Sequence, residues 1–242
     1  MKQIKNKLNK FNVVIILAGI ILFSVILLKI TAKPILENIS FSTVIYDNEN
    51  NILRLTLSQD GIYRIYKPLE EISPYLIEST LLYEDKYFYY HFGINPVSVL
   101  RAVYSLFHSE NRPLGASTIT MQLARLKYNI NSKTFMGKLN QMAHAIFLEI
   151  KYSKKEILEA PYGHNIEGVE AGSLIYYNVP SKDITLFESF ALVIIPQNPN
   201  NRIPTSSKGM VESIASRKRL FPIWLKKHPE DISLKNIIDM QI

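Results

Sequence analysis

The sequence of 242 residues contains no cysteine, so neither a disulfide framework nor a thiolate metal site is open to it. That usage fits an exported protein that does without oxidative folding. Acidic residues are missing from positions 1 to 32, where Lys2, Lys5, Lys7, Lys10 and Lys29 stand unopposed. These five lysines carry most of the formal charge of +7, and seven less five leaves only about +2 for the rest of the chain. So even a balance is not the electrostatic footprint of a nucleic-acid binder. Glycine is sparse at nine residues, and none forms a phosphate loop between a strand and a helix. Alternating βα patterning is missing too, which argues against a nucleotide-sugar or dinucleotide fold. No internal repeat and no low-complexity tract occurs.

What the sequence does have is one long apolar run. From Phe11 to Ile30 only Asn12, Gly19, Ser24 and Lys29 interrupt it. As a helix it reaches about 30 Å, the thickness of a bilayer's hydrocarbon core. The lysines before it place the N-terminus in the cytoplasm and the chain beyond Thr31 outside. A cleaved signal peptide also starts with a basic segment and an apolar core, but this run is longer than such cores and lacks a convincing small-x-small cleavage site. The expected organisation is a basic tail over 1–10, a transmembrane helix over 11–30, a stalk with short strands over 31–70, one mainly α domain over 71–227, and a polar, frayed tail over 228–242.

Within the stalk, Val44-Ile45-Tyr46 and Ile52 to Leu57 alternate around turn residues and predict a small β meander or hairpin. Ser73-Pro74 reads as an N-cap with proline at the first helical position, opening a helix toward Asp85. Leu114 to Tyr128 predicts a second helix with Ser117 or Thr118 as its cap. Phe135 to Lys151 predicts a third, with Leu139, Met142, Ala143, Ile146, Phe147 and Ile150 on one apolar face. Ser153-x-x-Glu156 and Thr185-x-x-Glu188 are capping boxes. The second opens an apolar helix stopped by Pro196, and a basic helix is expected over Met210 to Lys227.

Two segments could carry chemistry. Glu84-Asp85 ends an apolar helix, and Phe88 and His91 come after it. Such surroundings can desolvate a carboxylate and suit it to act as a general base toward a sugar hydroxyl. The same residues also read as a solvated helix terminus with an aromatic core behind it. In Gly115-Ala-Ser117-Thr118-Ile-Thr-Met-Gln122-Leu-Ala-Arg125, hydroxyls and free N–H groups at a helix start suit a phosphate or diphosphate. Ordinary N-capping explains those residues equally well.

Taken in order, Glu84-Asp-x-x-Phe88-x-x-His91-x-Gly93, Gly115-x-Ser-Thr-Ile-Thr-x-Gln122-Leu-x-Arg125, Lys138 to Glu149 and Ser153-Lys-x-x-Ile-Leu158 closely resemble the successive motifs of the family-51 peptidoglycan glycosyltransferases. The resemblance spans roughly Leu69 to Pro204. Tyr63-Arg64, Pro161-Tyr-Gly163 with Asn165-Ile-Glu-Gly168, and Pro196-Gln-x-Pro199 look most like the penicillin-binding protein 1C branch.

The resemblance implies a mainly α, lysozyme-like glycosyltransferase domain that polymerises lipid II into glycan strands at the outer face of the bacterial inner membrane. It implies that Glu84 is the general base. It further implies that Asp85, Phe88, His91, Ser117, Thr118, Gln122, Arg125, Lys138 and Gln141 bind substrate and its diphosphate. No cofactor is required, though a divalent metal (Mg or Mn) sometimes assists the diphosphate in this family. Expected partners are lipid II, the lipid-linked strand, the membrane, and transpeptidases or other wall-synthesis proteins.

Members of that branch carry a transpeptidase domain after the glycosyltransferase. No Ser-x-x-Lys occurs here, so a glycosyltransferase-only version or a fragment is expected. The sequence departs from the family pattern at three places. Gln141 stands where the family has a second glutamate, as is common in the 1C branch. Gly137-Lys138 replaces Arg-Lys. Glu159-Ala160-Pro161 is about five residues shorter than the family's passage to Pro-Tyr-Gly. These departures motivate a second reading, a non-catalytic relative that binds lipid II or wall-synthesis proteins. A third reading, a lytic wall enzyme, is disfavoured by the Ser-Thr-Ile-Thr-x-Gln motif.

Overall fold

A computed structural model of the chain describes residues 2–37, 39–49, 52–108, 117–160, 166–195 and 207–237. The expected long helix forms as α1 (Lys2–Ile30) and begins within the basic tail. Its Phe11–Ile30 portion has a mean hydropathy of 3.0 and is not buried in the rest of the chain, so it is long and apolar enough to cross a membrane.

The segment after α1 is docked rather than free. Ile35 enters the main hydrophobic core beside Phe88 and Leu148. Lys127 Nζ donates to the Ile35 carbonyl at 2.7 Å, and the Tyr152 hydroxyl donates to that of Lys33 at 2.9 Å. The predicted hairpin comes next as β1 (Val44–Tyr46) and β2 (Ile52–Leu55), antiparallel, with a register shift at Ile45/Tyr46. A second pairing was not legible from local signals. β3 (Tyr63–Arg64) runs parallel to β4 (Ile166–Glu167), about a hundred residues later in the chain. Behind it, Ile65, Ala171 and Leu174 pack with Val44, Ile52 and Leu55, which ties the hairpin to the helical body.

The body is built from helices. α2 (Pro74–Glu84) starts with proline at its first turn as expected, yet Ser73 does not cap it: the hydroxyl donates instead to the Ile184 carbonyl at 3.1 Å. α3 (Pro96–His108) was not anticipated. Asn95-Pro96 was its sequence signal, since Asn95 Oδ1 accepts from the Ser98 N–H at 3.2 Å. α4 (Ile119–Lys127) and α5 (Phe135–Lys151) are capped by Thr118 and Thr134. α6 (Lys154–Glu159) and α8 (Leu186–Ile194) both open with the predicted capping boxes. Between them α7 (Val169–Tyr177) ends on Asn178 in the left-handed conformation. α9 (Ser207–Leu225) starts earlier than expected and contains Pro222.

Two layers of packing organise these helices. α4, α5 and α6 enclose Ile119, Met121, Leu148 and Ile157, all fully buried. α2, α8 and α9 enclose Leu76, Phe190, Ile194 and Trp224. Each such apolar side chain contributes about 1.5–3 kcal/mol on burial. The mainly α, lysozyme-like class expected from the sequence is the one observed.

Two further expectations need correction. The core face of α5 is not its apolar stripe: Gln141, Ala145, Leu148 and Glu149 are buried, while Leu139 and Ile146 are 43% and 37% exposed. Gly93 lies close against this face, for a Cβ on it would fall 2.8 Å from the Ala145 carbonyl group. The polar members of that face, Gln141 and Glu149, find hydrogen-bond partners on α4. The chain after Pro229 is not frayed as far as Ile237. It winds into 3-10 turns, with Asp231 accepting from Trp224 Nε1 at 2.7 Å. Gly115, Pro161-Tyr-Gly163 with Asn165, and Pro196 to Pro199 lie outside the described residues.

Candidate active site

Glu84 is the last residue of α2 and is half-buried. Its Oε2 accepts a hydrogen bond from Gln122 Nε2 at 2.8 Å, so the first and second sequence motifs meet directly. Asp85, the next residue, is buried and turns inward. Its carboxylate accepts from the Ile119 N–H at 3.1 Å and pairs with His91 Nε2 at 2.8 Å. One carboxylate thus joins the end of α2, the turn Phe88–Tyr90 and the start of α4. Thr118 closes the same corner, donating to the Gly93 carbonyl at 2.6 Å while accepting from the Met121 N–H at 3.1 Å. Gly93 has φ +77°, a left-handed conformation in which a side chain would be strained.

This corner changes the expected use of the helix start. The N–H groups of Ile119 and Met121, which a free N-terminus would offer to an anion, are taken by Asp85 and Thr118. Cationic side chains are left for that task. Lys138 Nζ donates to Ser117 Oγ at 2.5 Å and to Gln141 Oε1 at 2.9 Å, with no carboxylate partner among the described residues. Burial, and then the nearby Arg125 guanidinium, push the Lys138 ammonium below the usual lysine range. Arg125 itself forms no ion pair among the described residues. Gln122 and Arg125 are three residues apart on α4 and so share a face. Gln122 thus links the base candidate to α4, which also carries Arg125, the guanidinium whose charge acts on Lys138.

The ten residues singled out from sequence divide by depth. Glu84, Ser117, Gln122, Arg125 and Lys138 keep some exposure. Asp85, Thr118 and Gln141 are buried and hold the others in place; Gln141, 2% exposed, donates to the Met121 carbonyl at 2.6 Å. Phe88, 1% exposed, lies in the core beneath the site and packs edge-on to His91. His91, with a side chain almost fully covered, serves Asp85. Burial puts Phe88 out of reach of any substrate, so its place is structural support.

Sequence reasoning missed the polar cluster behind this surface. Glu149 Oε1 accepts from Thr120 Oγ1 at 2.7 Å and from Lys154 Nζ at 2.6 Å. A glutamate inside the apolar pattern of α5 was the available signal. Among the described residues no group of three or more His, Asp or Glu could hold a metal ion.

The chain is similar to several penicillin-binding proteins. Penicillin-binding protein 1C of Escherichia coli (strain K12) is 33% identical over 181 residues, which cover 71% of this chain and 23% of that protein. Penicillin-binding protein 2D of Bacillus subtilis (strain 168) is 31% identical over 192 residues, covering 77% of this chain and 27% of that protein. Penicillin-binding protein 1F of Bacillus subtilis (strain 168) is 38% identical over 141 residues, covering 56% and 20%. The chain thus spans about a quarter of the length of these relatives. The transglycosylase family matches residues 49–221, a stretch that holds every residue of the corner around Glu84 and more than half of the sequence, and the chain belongs to that family.

Proposed function

We propose that this chain is a peptidoglycan glycosyltransferase that joins lipid II units into glycan strands and releases undecaprenyl diphosphate, with Glu84 as the general base. The observation that carries it is the bond from Gln122 to Glu84. That bond holds the carboxylate beside a surface whose Lys138 and Arg125 lack carboxylate partners among the described residues.

The chemistry comes from that arrangement. Glu84 takes the proton from the acceptor's 4-hydroxyl as the oxygen attacks the donor's anomeric carbon with inversion. The bond from that carbon to the diphosphate oxygen breaks, and its electron pair leaves with the diphosphate. Lys138, supported by Ser117 and Gln141, and Arg125 neutralise the charge that builds there. The side chains assigned to the diphosphate are the cationic Lys138 and Arg125 rather than carboxylates, so no step is assigned to a protein-held divalent ion.

The substrates' lipid tails confine them to a bilayer surface, and α1 would keep the enzyme there too, with its N-terminus cytoplasmic and its catalytic body outside the inner membrane. The partners are then lipid II, the growing lipid-linked strand, and transpeptidases or other enzymes that act on the same wall. Gln141, one motive for the non-catalytic reading, supports Lys138 as a buried amide, an arrangement compatible with an active site.

The test is gel-resolved polymerisation of labelled lipid II by the full-length protein in detergent, beside Glu84→Gln. The parent makes polymer, and the variant is slowed by about 10²- to 10⁴-fold, the usual cost of losing a general base. No polymer from a folded parent, while a control polymerase works, rejects this function.

A further inference from the structure

Lys154 opens α6 just beyond the Ser153 cap, and its side chain leaves that helix for the back of the active corner. Nζ donates to Glu149 Oε1 at 2.6 Å and to the His91 carbonyl at 2.8 Å, and stands 4.4 Å from the centre of the Phe88 ring. Glu149 in turn accepts from Thr120 on α4. One ammonium therefore gathers α4, α5, α6 and the turn Phe88–His91. Two further contacts lead to the chemistry: His91 pairs with Asp85, and Asp85 adjoins Glu84.

We propose that Lys154 is a positioning residue for the transfer reaction, holding the Phe88–His91 turn against α5 so that the Asp85–His91 bracket fixes where Glu84 points. The inference rests on the polymerase reading of the site.

Three physical points support it. The Lys154 side chain is 22% exposed and that of Glu149 only 4%, so desolvation offsets much of their attraction and the pair is a poor source of net stability. Its partners are nonetheless over-determined: a carboxylate, a backbone carbonyl and an aromatic face converge on one group, which fixes a geometry more than it adds energy. Besides Lys154, the turn it holds is anchored by the buried Phe88 ring and the Asp85–His91 pair. The Phe88–Tyr90 segment is a single 3-10 turn in and beside which Tyr87, Tyr89 and Tyr90 are exposed.

The experiment is steady-state polymerisation of lipid II by the full-length parent, Lys154→Met, Lys154→Arg and Glu149→Gln, with thermal melts on each. A displaced bracket costs kcat on the order of tenfold to a hundredfold, as misplacement of a reacting group by an ångström does. KM stays within a few-fold, because the cationic surface is untouched. Arginine, which keeps the charge and the donors, restores most of the rate. Glu149→Gln, which keeps a hydrogen-bonding partner for Thr120, loses kcat in the same direction to a smaller degree and covers the case in which Lys154→Met fails to fold. A folded Lys154→Met with the parent's kcat, or arginine and methionine equally impaired, overturns the positioning role while the polymerase reading stands. A parent that makes no polymer overturns both.

Discussion

At the scale of single residues, Lys138 shows how burial and hydrogen bonding set a functional charge. Its ammonium is held by two neutral oxygens, Ser117 Oγ and Gln141 Oε1, so its charge is left for a ligand. Burial, reinforced by Arg125, lowers the point at which it loses its proton. Binding of the donor diphosphate should therefore weaken as pH rises through that lowered value, below the pH at which an exposed lysine would discharge. Lys138→Met should raise KM about tenfold to a hundredfold, the worth of about 1.5–3 kcal/mol for a hydrogen bond to a charged group. It should also flatten the alkaline rise in KM expected of the parent. A KM that matches the parent's at neutral pH would remove Lys138 from the binding surface. The residue types at this corner were readable from the motifs. That Asp85 and Thr118 consume the helix N–H groups was not, because the Asp85 partner lies 34 residues away.

At the scale of elements, α5 carries the sharpest contrast between sequence and structure. Its limits, Phe135–Lys151, follow from its pattern, yet its buried face is the one bearing Gln141, Ala145 and Glu149. Apolar spacing identifies a helix, but the face that packs is chosen by what neighbouring helices offer. Here α4 offers the Met121 carbonyl and the Thr120 hydroxyl, which satisfy two buried polar side chains. The replacement of the family's arginine by Gly137 also has a packing cause. A Cβ at Gly137 would lie 1.8 Å from the Asn131 carbonyl oxygen, so the loop before α5 closes over this position. An alanine at an unobstructed helix-interior glycine stabilises by up to about 1 kcal/mol. Gly137→Ala should instead destabilise by about 1–3 kcal/mol, the usual cost of overpacking, read as a lower melting temperature. A raised melting temperature would show that the loop gives way freely. The shortened passage follows Glu159, the last residue of α6. α6 supports the site through Lys154 at its opposite end, while Ile157 and Leu158 stay in the core.

At the scale of the whole molecule, the chain after α9 folds back on the helix that carries Glu84. His228 stacks on Trp224 at 4.2 Å, and its Nε2 meets Glu78 of α2 at 2.9 Å while Nδ1 meets Glu230 at 3.1 Å. Lys227 pairs with the same Glu78. The hydrogen bond to Glu78, aided by Glu230 and opposed by burial, raises His228 above the usual histidine range. A raised value in the folded state means that the contribution is complete below the unfolded histidine's value and is lost as pH rises through the folded one. The parent's melting temperature should therefore fall as pH rises from the ordinary histidine value through the raised one. His228→Gln, always neutral, should lack that component. Identical pH profiles for the two proteins would show that the clasp bears no charge-dependent load.

The sequence by itself determined the membrane-length helix, both capping boxes, the span of α5 and the order of the motifs, because each depends on residues within a few positions of one another. Tertiary structure alone decided the β3–β4 pairing, the buried face of α5, the docking of Ile35 beneath α1, and the bracket from Lys154 through His91 to Asp85. Each of these joins groups that are distant along the chain or lie on different elements, and each is settled by which packing buries apolar surface while pairing polar groups across elements. Composition and periodicity hold no record of that accounting; only the packed chain does.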